Sequence, residues 1–132
     1  MSLLDTPLDD HAPWPTELRL SADKRTLHVT FEDGFSGAIS AELLRVRSPS
    51  AEVQGHNPDE RKTIPGKREV MMIGIEPVGN YAIRLRFDDL HDSGIYGWPL
   101  LNRFARAGEA LMAEYEAELA AKGMSRERAR RI

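Results

Sequence analysis

The sequence predicts an α+β domain: a mostly antiparallel sheet from two pseudo-repeated hairpin units, packed by a C-terminal helix. Three observations predict it. Residues 26–31 and 81–87 alternate apolar with polar side chains, the period of a strand with one buried face. Leu101, Phe104, Gly108, Leu111, Tyr115 and Leu119 recur at spacings of three and four, which puts one apolar stripe on a helix over residues 100–122. The two alternating stretches also open two similar segments. TLHVTFEDGFSGAISAELLR, from Thr26, aligns with AIRLRFDDLHDSGIYGWPLLNR, from Ala82, with one extra residue in the second turn and one after its Leu-Leu pair.

Residues 1–13 carry Pro7, Pro13 and several acidic side chains and are expected to be a disordered lead-in. Trp14, beside the first strand, is expected to pack on the domain edge. Residues 17–20 and 26–31 form a hairpin across Ser21, Ala22, Asp23 and Lys24. After the turn Glu32-Asp33-Gly34, residues 35–40 return as a strand, and Ser40 caps a helical turn over 41–45. Residues 47–66 contain Pro49, Pro58, Pro65, Gly55 and Gly66, which preclude a long regular element; a loop of this length is functional or mobile. Residues 70–77 form a strand whose more buried face carries Met71, Ile73 and Ile75, and Gly79-Asn80 turns it into the next. Gly123 stops the long helix. The basic tail, residues 125–132, reads as a solvated helix end.

In the repeat, Phe31 matches Phe87, Asp33 matches Asp89, Ser36-Gly37 matches Ser93-Gly94, and Leu43-Leu44 matches Leu100-Leu101. Each copy reads strand, acidic turn, strand, helix start. The phenylalanine ends a buried face, the aspartate hydrogen-bonds turn amides, and the leucine pair docks a helix. The copies are expected to pair into one antiparallel sheet with helices on one face.

The chain of 132 residues has a net charge of −3 and 30% charged residues. It has no global basic field, so no nucleic-acid partner is expected. Without cysteine it forms no disulfide, thiolate nucleophile or cysteine-ligated metal site of its own, which fits a reducing, cytoplasmic location. No apolar run approaches the roughly 18 residues of a membrane span, and the first fifteen residues lack a signal peptide's apolar run. A core of this size needs no metal or disulfide to fold.

Three motifs carry a resemblance: LRVRSPSAEVQGH from Leu44, IEPVGNYAIRLRFDD from Ile75, and HDSGIYGW from His91. With them the chain resembles the gamma-butyrobetaine hydroxylase-like N-terminal domain family over residues 14–106, leaving 107–132 as a helical extension with a basic tail. The resemblance implies a small stand-alone bacterial protein of unknown function. It also implies company: the family's domain occurs joined to Mrp-type ATPases linked to iron–sulfur cluster assembly and at the front of carnitine-pathway oxygenases. The oxygenase reaction is not implied, because the catalytic jelly roll is absent from the chain. In the hydroxylase the domain resembles a zinc module with a Cys-Pro-Cys-x-x-Cys motif and a later histidine. Carried over, the three cysteines fall on Ser48, Ser50 and Val53, and the histidine on His91. Serine is a poor zinc ligand and valine is none, so this implies that the family's zinc site is lost.

Two readings of the acidic turn stay open. His91, with Asp89 and with His56 brought over by the loop, would suit a divalent metal; alternatively the aspartates cap turn amides and His91 hydrogen-bonds a neighbour. A His91–Asp92 catalytic dyad lacks a nucleophile and an anion-binding glycine loop. Tyr96 and Trp98 lie on one side of the returning strand, either as core or as an aromatic patch for a partner. The reading adopted is a non-enzymatic binding or adaptor module with a protein partner, linked to iron–sulfur cluster assembly by the family's company, existing as a monomer or weak homo-oligomer and needing no cofactor. The alternative is a metal-binding protein or metal-dependent enzyme centred on His91.

Overall fold

Successive side chains of a strand point to opposite faces, so the alternating stretches become one-sided strands. The computed structural model describes residues 2–128. Strands β1 (Pro15–Leu20), β2 (Thr26–Phe31) and β3 (Ser36–Ser40) form one antiparallel sheet in chain order, and β4 (Met72–Val78), β5 (Ala82–Phe87) and β6 (Ile95–Gly97) form a second. Helix α1 (Ala41–Val46) follows β3, the short α2 (Ala51–Gln54) follows α1, and α3 (Trp98–Ala121) follows β6. Leu27, Val29 and Phe31 of β2 and Ile83, Leu85 and Phe87 of β5 share one buried cluster with Leu43, Leu44, Leu101, Phe104 and Leu111. Val46, Tyr115 and Leu119 make a second, smaller cluster under the far end of α3.

The repeat is present as two copies of the same turn. Gly34 and Leu90 donate backbone hydrogen bonds to the carbonyls of Phe31 and Phe87, and those two phenylalanines donate to the carbonyls of Phe35 and His91. Asp33 accepts from the Phe35 amide and Asp89 from the His91 amide, each at 3.1 Å. The copies do not pair into one sheet, however. Each third strand passes directly into its helix, and the strands order as β1-β2-β3 in one sheet and β4-β5-β6 in the other, with α3 packed on the face of β3. At Gly37 a Cβ would stand 3.0 Å from the Ala105 carbonyl oxygen. The copies therefore bury their faces in a shared core, and the Met72 amide bonds the Lys24 carbonyl at 2.8 Å.

Three further expectations are corrected. Met72 is fully buried and Ile73 is exposed, the reverse of the assigned faces, because the β4–β5 register shifts between Met72 and Gly74; such a bulge re-aims the strand. Residues 2–13 are not a loose lead-in. Ser2 caps a short 3-10 turn (Leu3–Asp5), its hydroxyl donates to Glu114 at 2.6 Å, Leu4 packs against the core, and Asp5 pairs with Arg61. Trp14 is 45% exposed, its carbonyl accepting from the Glu32 amide. The tail does not extend the helix: α3 ends in a glycine cap, with Gly123 at φ +67° and amides of Gly123 and Met124 on the carbonyls of Ala120 and Leu119. Beyond it Ser125 and Arg126 accept from the amides of Gly66 and Arg68, and Arg126 grips the buried Glu42 with two hydrogen bonds of 2.6 and 2.8 Å. Residues 129–132 of the predicted tail lie outside the described residues.

Helix α3 bends at Ala107, whose φ and ψ are −113° and 18°. Its predicted stripe is the buried one: Leu101, Phe104, Leu111, Tyr115 and Leu119 face inward. Leu111 is fully buried in the shared core, so Leu111→Ala is expected to cost about 2–5 kcal/mol in denaturant unfolding. A loss within about 0.5 kcal/mol, the range of surface substitutions, would place the stripe outside the core.

Candidate functional site

The second turn and the loop after α1 meet at His91. Ser40 caps α1 by accepting from the Leu43 amide at 3.0 Å, and the helix delivers Arg45, Arg47 and Ser48 toward the β5–β6 turn. Ser50 then caps α2, accepting from the Glu52 amide at 3.2 Å, which turns Glu52 back over His91 and buries Val53. The result is a chain of hydrogen bonds. His91 Nδ1 lies 3.2 Å from Glu52 Oε2, and His91 Nε2 lies 2.9 Å from Ser48 Oγ. Ser48 Oγ also accepts from the Ser50 amide at 3.2 Å, and Ser50 Oγ meets Ser93 Oγ at 2.7 Å. The Gln54 side-chain amide donates to the Ser48 carbonyl at 2.9 Å.

The donors and acceptors set the proton positions. A carboxylate only accepts, so the contact with Glu52 favours the tautomer that carries its proton on Nδ1, in which Nε2 accepts from the Ser48 hydroxyl. His91 is held below the ordinary histidine range, first by burial and then by the Arg45 guanidinium, with Glu52 and Asp89 acting the other way. That direction favours the neutral ring. Gly94 closes the cluster: a Cβ there would stand 2.5 Å from Ser48 Oγ.

Asp89 anchors the turn from outside. Its Oδ1 accepts from the His91 amide, and its Oδ2 takes Arg45 Nε at 2.6 Å and Lys67 Nζ at 2.7 Å. Burial works to raise the Asp89 pKa, but the hydrogen bonds from Lys67, the His91 amide and Arg45 outweigh it and hold the carboxyl at about 2.

Of the predicted metal set, His91 and Asp89 are neighbours but their polar atoms are spent on separate partners. His56 is exposed, with its amide on Glu60 Oε2 at 2.7 Å. Among the described residues no group of three or more histidine, cysteine, aspartate or glutamate side chains is placed to hold a metal. The zinc positions that the resemblance implies do converge, since Ser48 and His91 are in contact and Ser50 and Val53 follow in the same buried loop. Their donors do not fit zinc: two neutral hydroxyls already in hydrogen bonds, one aliphatic side chain, and one imidazole engaged at both nitrogens. Asp92 is exposed and makes no dyad with His91.

Tyr96 is fully buried and its hydroxyl donates to the Leu44 carbonyl, so it cannot face a partner. Trp98 is half-buried against the core, with Nε1 donating to the Asn80 carbonyl at 2.9 Å. Glu52 is the residue that sequence reasoning missed; the signal was Ser50 as a helix cap two residues earlier. The order hydroxyl, imidazole, carboxylate matches that of a catalytic triad, but Ser48 is fully buried and its oxygen is walled by Gly94 and Tyr96, so no substrate carbonyl reaches it. A cavity of about 600 Å³ lies elsewhere, between β3, α1 and the bend of α3. Ser40, its lining hydroxyl, is already used as the α1 cap, and Arg106 is paired with Asp33.

The sequence profile of a family described as gamma-butyrobetaine hydroxylase-like, N-terminal, matches residues 18–102. Two solution NMR structures are similar to the chain. One is 42% identical with a TM-score of 0.77, covering 91% of this chain and 94% of that one. The other is 41% identical with a TM-score of 0.78, covering 96% and 94%. A crystal structure of a protein of unknown function in the DUF971 family, from Acidithiobacillus ferrooxidans, is 33% identical with a TM-score of 0.59, covering 70% of this chain and 92% of that one. No curated protein matches the sequence.

The Asp89 anchor predicts an acid limb in stability. A carboxyl depressed in the folded state stabilises fully above its unfolded pKa of 3.8 and loses that contribution as pH falls toward about 2. The stability difference between wild type and Asp89→Asn should therefore shrink by about 2 kcal/mol between pH 5 and pH 2. Denaturant melts across that range check it; a difference that stays constant with pH would show that the Asp89 charge contributes nothing.

Proposed function

The chain belongs to the gamma-butyrobetaine hydroxylase-like, N-terminal family, and from that premise we propose that it is a non-enzymatic binding module for a protein partner, with the Leu90 turn as the contact. The observation that carries this reading is Leu90 itself. It is 80% exposed, and its backbone is left-handed at φ +73°. The equivalent turn of the first copy has Gly34 at φ +88°, the residue this conformation favours. A bulky side chain held there costs roughly 1–3 kcal/mol, and burial gives nothing back. Such strain persists where a turn serves recognition. The exposed Asp88 and Asp92 flank Leu90 in the turn, and the exposed carboxylate of Glu52 contacts His91 next to it in the chain. The partner surface that fits is an apolar pocket with a basic rim.

Three considerations support the module over an enzyme. Ser48, Ser50 and His91 are buried, and their polar side-chain atoms are taken up by contacts with one another, Glu52 and Ser93. The large cavity gathers no acid–base set. The family's company with Mrp-type ATPases supports a role beside iron–sulfur cluster assembly. The rival, a metal-dependent protein centred on His91, gains no support from a ring engaged at both nitrogens.

Leu90→Gly separates binding from folding. The variant should melt at the wild-type temperature or above, since glycine relieves the strained backbone. In affinity capture from the native cell, wild type should retain a protein that the variant loses at least tenfold. Identical retention by both baits would remove Leu90 from the interface.

A further inference from the structure

Of the four sheet edges, β1 alone lies open among the described residues. We propose that β1 is the seam of a two-fold homodimer, in which Leu18 pairs with the partner's Leu18 and Glu17 faces the partner's Arg19.

An unpaired strand edge offers its N–H and C=O groups to another chain, and proteins commonly block it. Three edges here are blocked. Strand β6 is three residues long and passes straight into α3. Strand β3 runs into α1, and its residues 38–40 are walled by Ala105, Gly108 and Met112 of α3 across the cavity. Beside β6, the Tyr81 carbonyl and the Leu85 amide are bonded to Trp98 and Gly94. Ladder bonds alternate sides along a strand, so β5 turns its other positions to β4, and the outward positions of β4 are 73, 75 and 77. Ile73 sits in the bulge, and Pro77 has no N–H.

Strand β1 differs. The Ser21 amide bonds the Thr26 carbonyl at 2.9 Å, which continues the β1–β2 register. By the same alternation Glu17 and Arg19 spend their backbone groups on β2, and Leu18 and Leu20 turn theirs outward. Among the described residues no hydrogen bond from another element reaches those outward groups. The Leu18 and Leu20 side chains pack against the core, while Glu17 and Arg19 are exposed on the other face. Neither charge enters an ion pair among the described residues.

These groups define the register. A second β1 running antiparallel meets open groups with open groups when Leu18 faces the partner's Leu18, and the two residues then exchange both N–H···O bonds. Glu17 faces the partner's Arg19 on each side of the axis, and opposite charges directly across a strand pair attract. Sliding the partner by two residues sets Glu17 against the partner's Glu17, or Arg19 against the partner's Arg19, and like charges there repel. The edge charges thus select one register and one partner, a copy of the same chain. Trp14, 45% exposed just before β1, stands at each end of the seam, where the partner's 21–24 turn arrives. A two-fold contact closes on itself and leaves neither β1 edge open. The inference does not rest on the Leu90 interface.

Sedimentation equilibrium of the full chain at low salt tests it. The seam is short, so association is weak, with a dissociation constant expected below about 1 mM. Glu17→Arg and Arg19→Glu should each weaken association at least about fivefold, because both facing pairs become like-charged. Mixed in equal amounts, the two variants should associate at least as tightly as wild type, since every facing pair is then unlike; that result also shows both to be folded. Glu17→Arg/Arg19→Glu in one chain should restore dimerisation. In hydrogen exchange the Leu18 amide should slow as protein concentration rises. Wild type that stays monomeric at about 1 mM, single variants that lose less than about fivefold, a mixture no tighter than its components, or a Leu18 amide indifferent to concentration would each overturn the inference. Capture of a protein through Leu90 is read separately and bears on neither result.

Discussion

Two aspartates hold the halves of this protein to each other. Asp33 and Asp89 occupy the same position in the two copies of one turn. Each uses one oxygen on the amide two residues ahead, and each gives the other oxygen to an arginine of the opposite copy's helix. Arg45 of α1 reaches Asp89, and Arg106 of α3 reaches Asp33, both at 2.6 Å. The linkage is reciprocal, but its two ends differ. Asp33 and Arg106 are exposed, so solvent screens their pair. Arg106 adds a stack 4.2 Å over the Phe35 ring. Asp89 and Arg45 are largely buried, and Lys67 joins them, so the second end fixes the geometry of everything packed behind it.

What is packed behind it is the His91 cluster. The position after the left-handed residue is Phe35 in the first copy, a partly buried ring against the core. In the second copy the same position is His91. A duplicated turn has thus placed an imidazole where its twin has a hydrocarbon ring, and burial requires that its two nitrogens find partners. Ser48 and Glu52 supply them from a loop too rich in proline and glycine to form a long element.

The repeat, the long helix, the α1 cap and the docking leucines were legible in the sequence because each depends on short-range periodicity or on a residue with one dominant local use. The separation into two sheets was not legible: strand periodicity says which face is buried but not which edge is paired, and the close approach of Gly37 to Ala105 is a tertiary fact. The inverted faces at Met72 and Ile73 turn on one bulge residue, which shifts every side chain that follows it. At the site, Ser48, Ser50 and His91 were brought together by the family resemblance, whereas Glu52 depended on a four-residue helix. The metal grouping of His56 with His91 failed because a loop histidine is free to point into solvent. For Tyr96 core and aromatic patch both stayed open, because alternation cannot tell an outer strand face from one covered by α1.

The central claim is that His91 sits neutral in a hydrogen-bonded network with its proton on Nδ1. Nitrogen-15 NMR of the imidazole in the native protein at neutral pH tests it most directly. The account predicts a neutral ring with a protonated Nδ1, an Nε2 that accepts a hydrogen bond, and a spectrum unmoved by chelator. A charged imidazolium, a proton on Nε2, or an Nε2 signal that shifts when metal is stripped would contradict it.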